Sequence, residues 1–215
     1  MMELYINRWA YWAPPADNQA ASPLLDYVSP LLKRRLSQLT RMTIEVVHQV
    51  LDAAPESGLV FISSGGESAR QLQVDRMLLE DGGILPAPFS LSVFNASPAM
   101  ATIALGMKGG YTALFPAENL FREGLVYGAA PIMAGETESV ILVFADQLLP
   151  EEYNAVAGPE DKISPYAAAF VLSSKQMEKS VPIQLYPEAA DISQAVPYAS
   201  LKELIQALKQ EASCV

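Results

Sequence analysis

The spacing of apolar residues along this chain predicts strands that alternate with helices. Residues 59–62 form a short apolar run between Gly58 and Ser63, which is typical of a strand buried on both faces. From residue 31 to residue 50 the apolar positions instead recur with the 3.6-residue period of a helix. Strands are predicted at residues 2–12, 59–62, 111–115, 139–144, 166–173 and 181–185, a further helix at residues 200–211, and helix starts near residues 64, 97 and 117. This alternation indicates an α/β fold with a mixed sheet flanked by helices.

The Ser-Ser-Gly-Gly segment that follows the buried run allows two interpretations. Ser64 and Glu67 form an S-x-x-E capping box, which predicts a helix that runs to about Glu80. Glycines between a strand and a helix can also bind phosphate through their backbone amides. No Lys-Ser/Thr pair and no G-x-G-x-x-G pattern follows, so tight strand-to-helix packing is favoured over a nucleotide site.

Length and charge restrict the classes of partner. The 215 residues allow one large domain or two small ones, and the 51% hydrophobic content is enough for a true core. A formal net charge of −10 disfavours nucleic acid and anionic membranes, since both attract clustered Lys and Arg. No apolar run has the length of a membrane span, and the N-terminal residues do not show the basic region followed by an apolar stretch that is typical of an export signal. A cytoplasmic location is therefore expected.

Two residue counts exclude most catalytic chemistries. Cys214 is the single cysteine and lies one residue from the end, and His48 is the single histidine. A zinc site needs three or four Cys, His or carboxylate ligands, and a Ser-His-Asp triad or a Cys-His pair needs a histidine at a cleft, so no metal and no cofactor is predicted. His48 lies off the centre of its helical stripe, which favours a solvent-facing side chain over a base or ligand.

Four segments carry a resemblance to a known family. FISSGGES (61–68), PAPFSLSVFNASPA (86–99), GMKGGYTAL (106–114) and GETESVILVFAD (135–146) are similar to the N-terminal half of the β-ketoacyl-acyl-carrier-protein synthases of the thiolase fold. The sequence most resembles the short ketosynthase-like proteins called chain-length factors, found in aryl polyene and related polyketide gene clusters. The likeness covers roughly residues 1–175 and implies one synthase-like N-terminal domain over residues 1–215. Phe94 departs from the pattern, since the short family usually has histidine there.

The resemblance implies that catalysis is absent. In active ketosynthases the nucleophilic cysteine lies at the strand-to-helix corner, which corresponds here to Ala117 or Glu118. Neither side chain can form an acyl thioester, and the two catalytic histidines belong to a half that this chain lacks. At the start of a helix, Glu118 also has an ordinary capping role, because the helix dipole favours an anion there.

The resemblance also implies a partner. The chain is expected to form a heterodimer with a β-ketoacyl-ACP synthase, and to meet acyl carrier protein only through that subunit. In the thiolase fold the strand before the nucleophile pairs across the dimer axis, and here this strand comprises Tyr111, Thr112, Ala113, Leu114 and Phe115. Chain-length factors help to shape the partner's acyl tunnel, and the candidates for this role are Val93, Phe94, Met100, Ile103 and Phe115. Ordinary core packing is the alternative for each of these apolar side chains.

Two other functions stay open at this level. The chain could be an independent acyl-thioester hydrolase or decarboxylase that uses Glu118, or Ser63 and Ser64, as base or nucleophile. It could also be a scaffold that binds carrier protein directly, but its acidic surface would repel an acidic carrier.

Overall fold

A computed structural model describes residues 2–115, 119–155, 164–186 and 192–213 of the chain. The strands are β1 (Met2–Trp12), β2 (Gly58–Ile62), β3 (Tyr111–Leu114), β4 (Ser139–Asp146), β5 (Tyr166–Ser173) and β6 (Val181–Leu185). The helices are α1 (Pro30–Lys33), α2 (Gln38–Val50), α3 (Ser68–Asp81), α4 (Pro86–Ser90), α5 (Ala96–Leu105), α6 (Leu120–Met133), α7 (Ile192–Ala195) and α8 (Leu201–Ser213). Short 3-10 helices lie at Leu51–Ala53 and Glu151–Ala155.

The six strands of the described residues belong to one mixed sheet, as the sequence predicts. Their order is β3-β2-β4-β5-β1-β6. β2 is parallel to both β3 and β4, whereas β5 is antiparallel to β4 and β1, and β6 is antiparallel to β1. The carboxyl ends of the three parallel strands therefore meet at one edge, which is where α/β folds usually place their sites.

Helices cover both faces of the sheet, and a separate apolar cluster lies under each face. One cluster joins α6 and α8 to side chains such as Phe144 and Phe170. The other joins α2 and α5 to side chains such as Phe61 and Ile141. Because successive strand residues point to opposite faces, the buried central strands β2, β4 and β5 are apolar along almost their whole length.

Helix α6 approaches the sheet closely because two glycines face it. A Cβ atom at Gly124 would lie 2.7 Å from Cε1 of Phe144, and one at Gly128 would lie 2.6 Å from Cδ1 of Leu142. These separations are well inside van der Waals contact, so a larger residue at either position would have to push α6 off the sheet.

The prediction of one continuous helix over residues 31–50 is wrong. It is two helices, α1 and α2, because Ser37 starts a new helix with its hydroxyl accepting a 3.0 Å hydrogen bond from the Thr40 amide. Helix α2 then buries the predicted apolar stripe, whereas His48 is exposed as expected and stacks on Tyr27 with ring centroids 3.8 Å apart.

The predicted capping box at Ser64 is also wrong. Helix α3 begins at Ser68 with Glu67 in the capping position, and the Glu67 side chain makes no capping bond because it points into the core. Helix α6 begins at Leu120 instead of residue 117, β3 ends at Leu114, and β4 continues to Asp146. The short helices α4 and α7 have no counterpart among the predicted elements.

No helix within the described ranges combines the length and the apolar character that crossing a membrane requires.

Candidate functional site

Strand β3 lies at one edge of the sheet with one side open. The carbonyls of Gly110, just before β3, and of Leu114 at its end accept hydrogen bonds of 3.0 and 3.4 Å from the amides of Leu59 and Ser63. Because backbone groups alternate in direction along a strand, the N–H and C=O groups of Tyr111 and Ala113 point away from β2. In the described part of the chain β3 pairs with β2 alone, so these groups form an edge available to another strand.

The turn between α5 and β3 fixes where this edge strand begins. Gly106 ends α5 with a φ of 64°, a left-handed conformation that glycine adopts without strain. Gly109 lies so close to the turn before β2 that a Cβ atom at Gly109 would be 2.5 Å from the Ser57 carbonyl oxygen. The Asn95 side chain, just before α5, donates a 3.1 Å hydrogen bond to the Tyr111 hydroxyl. Helix α5 and strand β3 are thus tied together at both ends of the helix.

Two of the five tunnel candidates, Phe94 and Phe115, contact each other. Their ring centroids are 6.0 Å apart with an interplanar angle of 88°, an edge-to-face arrangement. Phe94 makes a second edge contact of 6.2 Å with the buried Phe61 of β2, whereas 63% of Phe115 is exposed. The pair therefore forms an aromatic path from the core to the surface beside the open edge.

The other candidates lie in different environments. Val93 and Met100 are half-buried, and Met100 packs against the cluster under α2 and α5. Ile103 is 67% exposed on the outer side of α5. Met100 contributes to core packing, while Ile103 and Phe115 present apolar surface to solvent.

The predicted degenerate nucleophile positions, Ala117 and Glu118, lie outside the described residues. The next residue, Asn119, caps α6: its side-chain oxygen accepts a 3.0 Å bond from the Arg122 amide. Its own amide donates a 2.8 Å bond to the Glu123 carboxylate. Sequence reasoning gave the capping role at this corner to Glu118 and missed Asn119, although Asn is a common first choice for an N-cap.

The Ser-Ser-Gly-Gly turn after β2 wraps around the carboxylate of Asp146. The Oδ1 atom of Asp146 accepts bonds of 2.7 Å from the Ser63 hydroxyl, 2.8 Å from the Ser64 amide and 3.0 Å from the Gly65 amide. Burial raises the pKa of Asp146, and these hydrogen bonds partly oppose that shift. The Ser64 and Gly65 amides, which were considered for phosphate binding, are therefore occupied by a carboxyl group of the protein itself.

The same contacts define the surroundings of Ser63, the serine considered as a nucleophile. Ser63 is completely buried, its hydroxyl donates to Asp146, and it accepts a 2.8 Å bond from the Gly66 amide. His48 is exposed beside Tyr27, and Cys214 lies outside the described residues. These contacts give Ser63 a structural role in the turn.

A second buried carboxylate, Glu67, lies next to this turn and was missed as a site residue. Its side chain is fully buried, and its Oε1 atom accepts hydrogen bonds from three hydroxyl groups. The donors belong to Ser37, Thr40 and Ser97 at distances of 2.7, 2.8 and 2.7 Å. The sequence contains a signal for a polar role in its S-x-x-E pattern, but the pattern indicates a local cap and says nothing of these distant donors.

Among the described residues, no group of three or more His, Cys, Asp or Glu side chains could hold a metal ion.

The sequence matches the family described as β-ketoacyl synthase, N-terminal domain, over residues 9–214. The chain belongs to this family. A search of curated proteins finds no match. The resemblance stated from the four sequence segments is therefore confirmed at the level of the family.

Solved structures with a similar fold include ketosynthase complexes. One is the ketosynthase ApeO in complex with its chain length factor ApeC from Xenorhabdus doucetiae, with a TM-score of 0.66 and 23% identity, covering 80% of this chain and 79% of that one. Another is the ishigamide ketosynthase/chain length factor, with a TM-score of 0.63 and 13% identity over 79% of this chain and 62% of that one. A third is a type II polyketide synthase acyl-carrier protein in complex with its ketosynthase, AntDE:AntF. Its TM-score is 0.61 and its identity 15%, and the match covers 80% of this chain and 63% of that one. At these identities the likeness establishes the thiolase-like fold.

Proposed function

We propose that this chain is a non-catalytic, chain-length-factor-like subunit that pairs with a β-ketoacyl-ACP synthase and helps to shape its acyl tunnel. The pathway class is aryl polyene or related polyketide biosynthesis. The observation that carries the proposal is the open edge of β3, flanked by the exposed apolar side chains of Ile103 and Phe115 in a ketosynthase N-terminal domain.

The residues at the strand-to-helix corner support the absence of catalysis. Between β3 and α6 the chain reads Phe-Pro-Ala-Glu-Asn, with no cysteine, serine or threonine. Decarboxylative condensation needs a thiolate at a helix N-terminus and donors for the developing enolate or oxyanion. The one histidine stacks on Tyr27 at the surface. In this proposal the partner ketosynthase supplies all the chemistry.

The open edge supports a pairing mode. The partner's equivalent strand would add antiparallel to β3, which comprises Tyr111, Thr112, Ala113 and Leu114, with Phe115 at its end. Added backbone hydrogen bonds give affinity, and alternate side chains give specificity. The segment from the end of α3 through α4 offers further apolar surface that a partner could cover, since Leu79 is 84% exposed and Phe89 is 50% exposed.

The aromatic pair supports a role in product length. Phe94 and Phe115 lead from the core to the surface beside the pairing edge, so their bulk would limit the space open to an acyl chain entering from the partner. Val93, Met100 and Ile103 are retained as secondary candidates for the same wall.

Several further features belong to the proposal. The chain acts as one synthase-like N-terminal domain in the cytoplasm and meets acyl carrier protein through the ketosynthase, because a net charge of −10 disfavours a direct encounter with an acidic carrier. The complexes of solved relatives support this arrangement, since they contain a ketosynthase with its chain length factor.

Co-expression with a β-ketoacyl-ACP synthase of the proposed pathway class tests the proposal. The expected result is a one-to-one complex in native mass spectrometry that elongates malonyl units, while the purified chain alone neither elongates malonyl units nor hydrolyses acyl thioesters. Separate elution of the two proteins, or thioester hydrolysis by the lone chain, would contradict the proposal.

A further inference from the structure

Three helices begin around the buried carboxylate of Glu67. Ser37, which caps α2, and Thr40 in the first turn of that helix donate hydroxyl bonds to Oε1. Ser97, the second residue of α5, donates the third at 2.7 Å, and Glu67 itself occupies the capping position of α3. The guanidinium Nε of Arg70 lies 3.5 Å from Oε2.

This arrangement compensates an otherwise costly buried charge. An unpaired carboxylate in a protein interior is strongly destabilising, whereas hydrogen bonds to a charged group are about twice as strong as those between neutral groups. The positive ends of three helix dipoles also favour an anion at their common point. Since Oε1 must stay within reach of all three hydroxyls, the starts of α2, α3 and α5 are held in one relative position.

The hydrogen bond from Ser97 to Glu67 connects Glu67 to α5, the helix that carries part of the proposed tunnel wall. Ser97 is completely buried, and its hydroxyl also lies 3.0 Å from the Thr40 hydroxyl. Met100 and Ile103 follow Ser97 by three and six residues along α5, and Phe94 precedes it by three residues. A shift at the start of α5 would therefore move every tunnel candidate that comes before the turn to β3.

We propose that Glu67 is a positioning residue that, through Ser97, fixes the start of α5 and thereby sets the product length of the heterodimer. The inference rests on the proposed function above. Glu67 touches no acyl chain in this account, because it acts only by holding the helix that carries the wall.

Ser97→Ala tests the inference, with Thr102→Val as a matched control. Thr102 also lies on α5, and within the described residues its hydroxyl bonds to the Ala99 carbonyl of the same helix. In the co-purified complex, Ser97→Ala should at least double the fraction of products that differ from the main wild-type length, measured by mass spectrometry. Thr102→Val should leave the distribution unchanged, and Ser97→Thr, which keeps a hydroxyl, should restore it.

Amide hydrogen exchange on the isolated chain tests the positioning itself without a partner. Ser97→Ala should speed exchange in the first turns of α5 at least tenfold relative to Thr102→Val. Unchanged exchange would overturn the inference, and so would faster exchange with an unchanged product distribution. Absence of any wild-type complex would instead overturn the proposed function. If Ser97→Ala yields no folded protein, Ser97→Cys, with a weakly donating thiol, replaces it under the same criteria.

Discussion

The ring of Phe94 occupies the space in which a side chain at Gly66 would lie. A Cβ atom built on Gly66 would be 2.6 Å from Cδ2 of Phe94, and Gly66 has a φ of +49°. The turn after β2 and the segment before α5 therefore constrain each other. The contact is apolar and adds to the aromatic path from Phe61 to Phe115.

Gly66→Ala should destabilise the protein by about 1–3 kcal/mol, because it adds both left-handed backbone strain and overpacking. Urea unfolding of the single and double variants with Phe94→Ala measures the coupling. Removing the ring relieves the clash but not the strain, so the double variant should be more stable than the sum of the two single effects predicts. Strict additivity would show that the ring does not oppose a side chain there. Gly83→Ala is the control, with no atom within 4 Å of its Cβ position.

Phe115→Ala should lengthen the products of the heterodimer while costing the isolated chain less than about 1 kcal/mol, because the side chain is mostly exposed. Tyr127→Ala is the matched control, since Tyr127 on α6 is a similarly exposed aromatic residue outside the aromatic pair. Mass spectrometry of the products compares the two complexes. If both variants and the wild type gave identical product spectra, Phe115 would not be part of the tunnel wall.

Asp146→Asn should flatten part of the pH dependence of stability. Burial raises the pKa of Asp146 in the folded protein above its unfolded value of about 3.9. The contribution of this carboxyl group to the free energy of unfolding is therefore fully present below about pH 4, and it is lost as pH rises through the folded pKa. Asparagine keeps an oxygen acceptor for Ser63 and for the amides of Ser64 and Gly65, and it carries no charge to bury.

The stability of Asp146→Asn relative to wild type should therefore increase from pH 4 towards neutral pH in urea unfolding. Asp17→Asn removes an exposed carboxylate and serves as the control for net charge. If the stability of Asp146→Asn relative to wild type stayed constant over this pH range, the raised pKa of Asp146 would be contradicted.

The sequence predicted the strands better than the helix starts, and the reason is physical. Strands such as β4 and β5 are buried on both faces, so their apolar runs are visible without any tertiary information. Helix starts depend on caps, and the periodic stripe of α2 continues across Ser37 with no break in its apolar spacing. The five-residue helix α4 contains two prolines and is too short to show a period.

The site was predictable only where the residues lie close in the chain or where the family resemblance supplied them. Phe94 and Phe115 came from the resemblance, and the structure brings them together. Glu67 was assigned to a local capping box, because the pattern cannot reveal donors such as Ser37 and Ser97, each 30 residues away in sequence. The partners of Asp146 lie more than 80 residues away, so only the folded sheet brings them together.

Pairing of the β3 edge with a ketosynthase is the central claim, and a proline at that edge tests it most directly. The Ala113 amide points away from β2, so Ala113→Pro removes a donor that only a partner strand would use. On the opposite edge, β6 already contains Pro182, and Gln184 lies two residues on in the same orientation, so Gln184→Pro is the matched control.

The decisive measurement is native mass spectrometry of each variant co-expressed with the ketosynthase, after circular dichroism has shown that both variants fold. We predict that Gln184→Pro gives the one-to-one complex at wild-type yield, whereas Ala113→Pro reduces it at least tenfold. A folded Ala113→Pro chain that forms the complex as well as wild type would contradict the account.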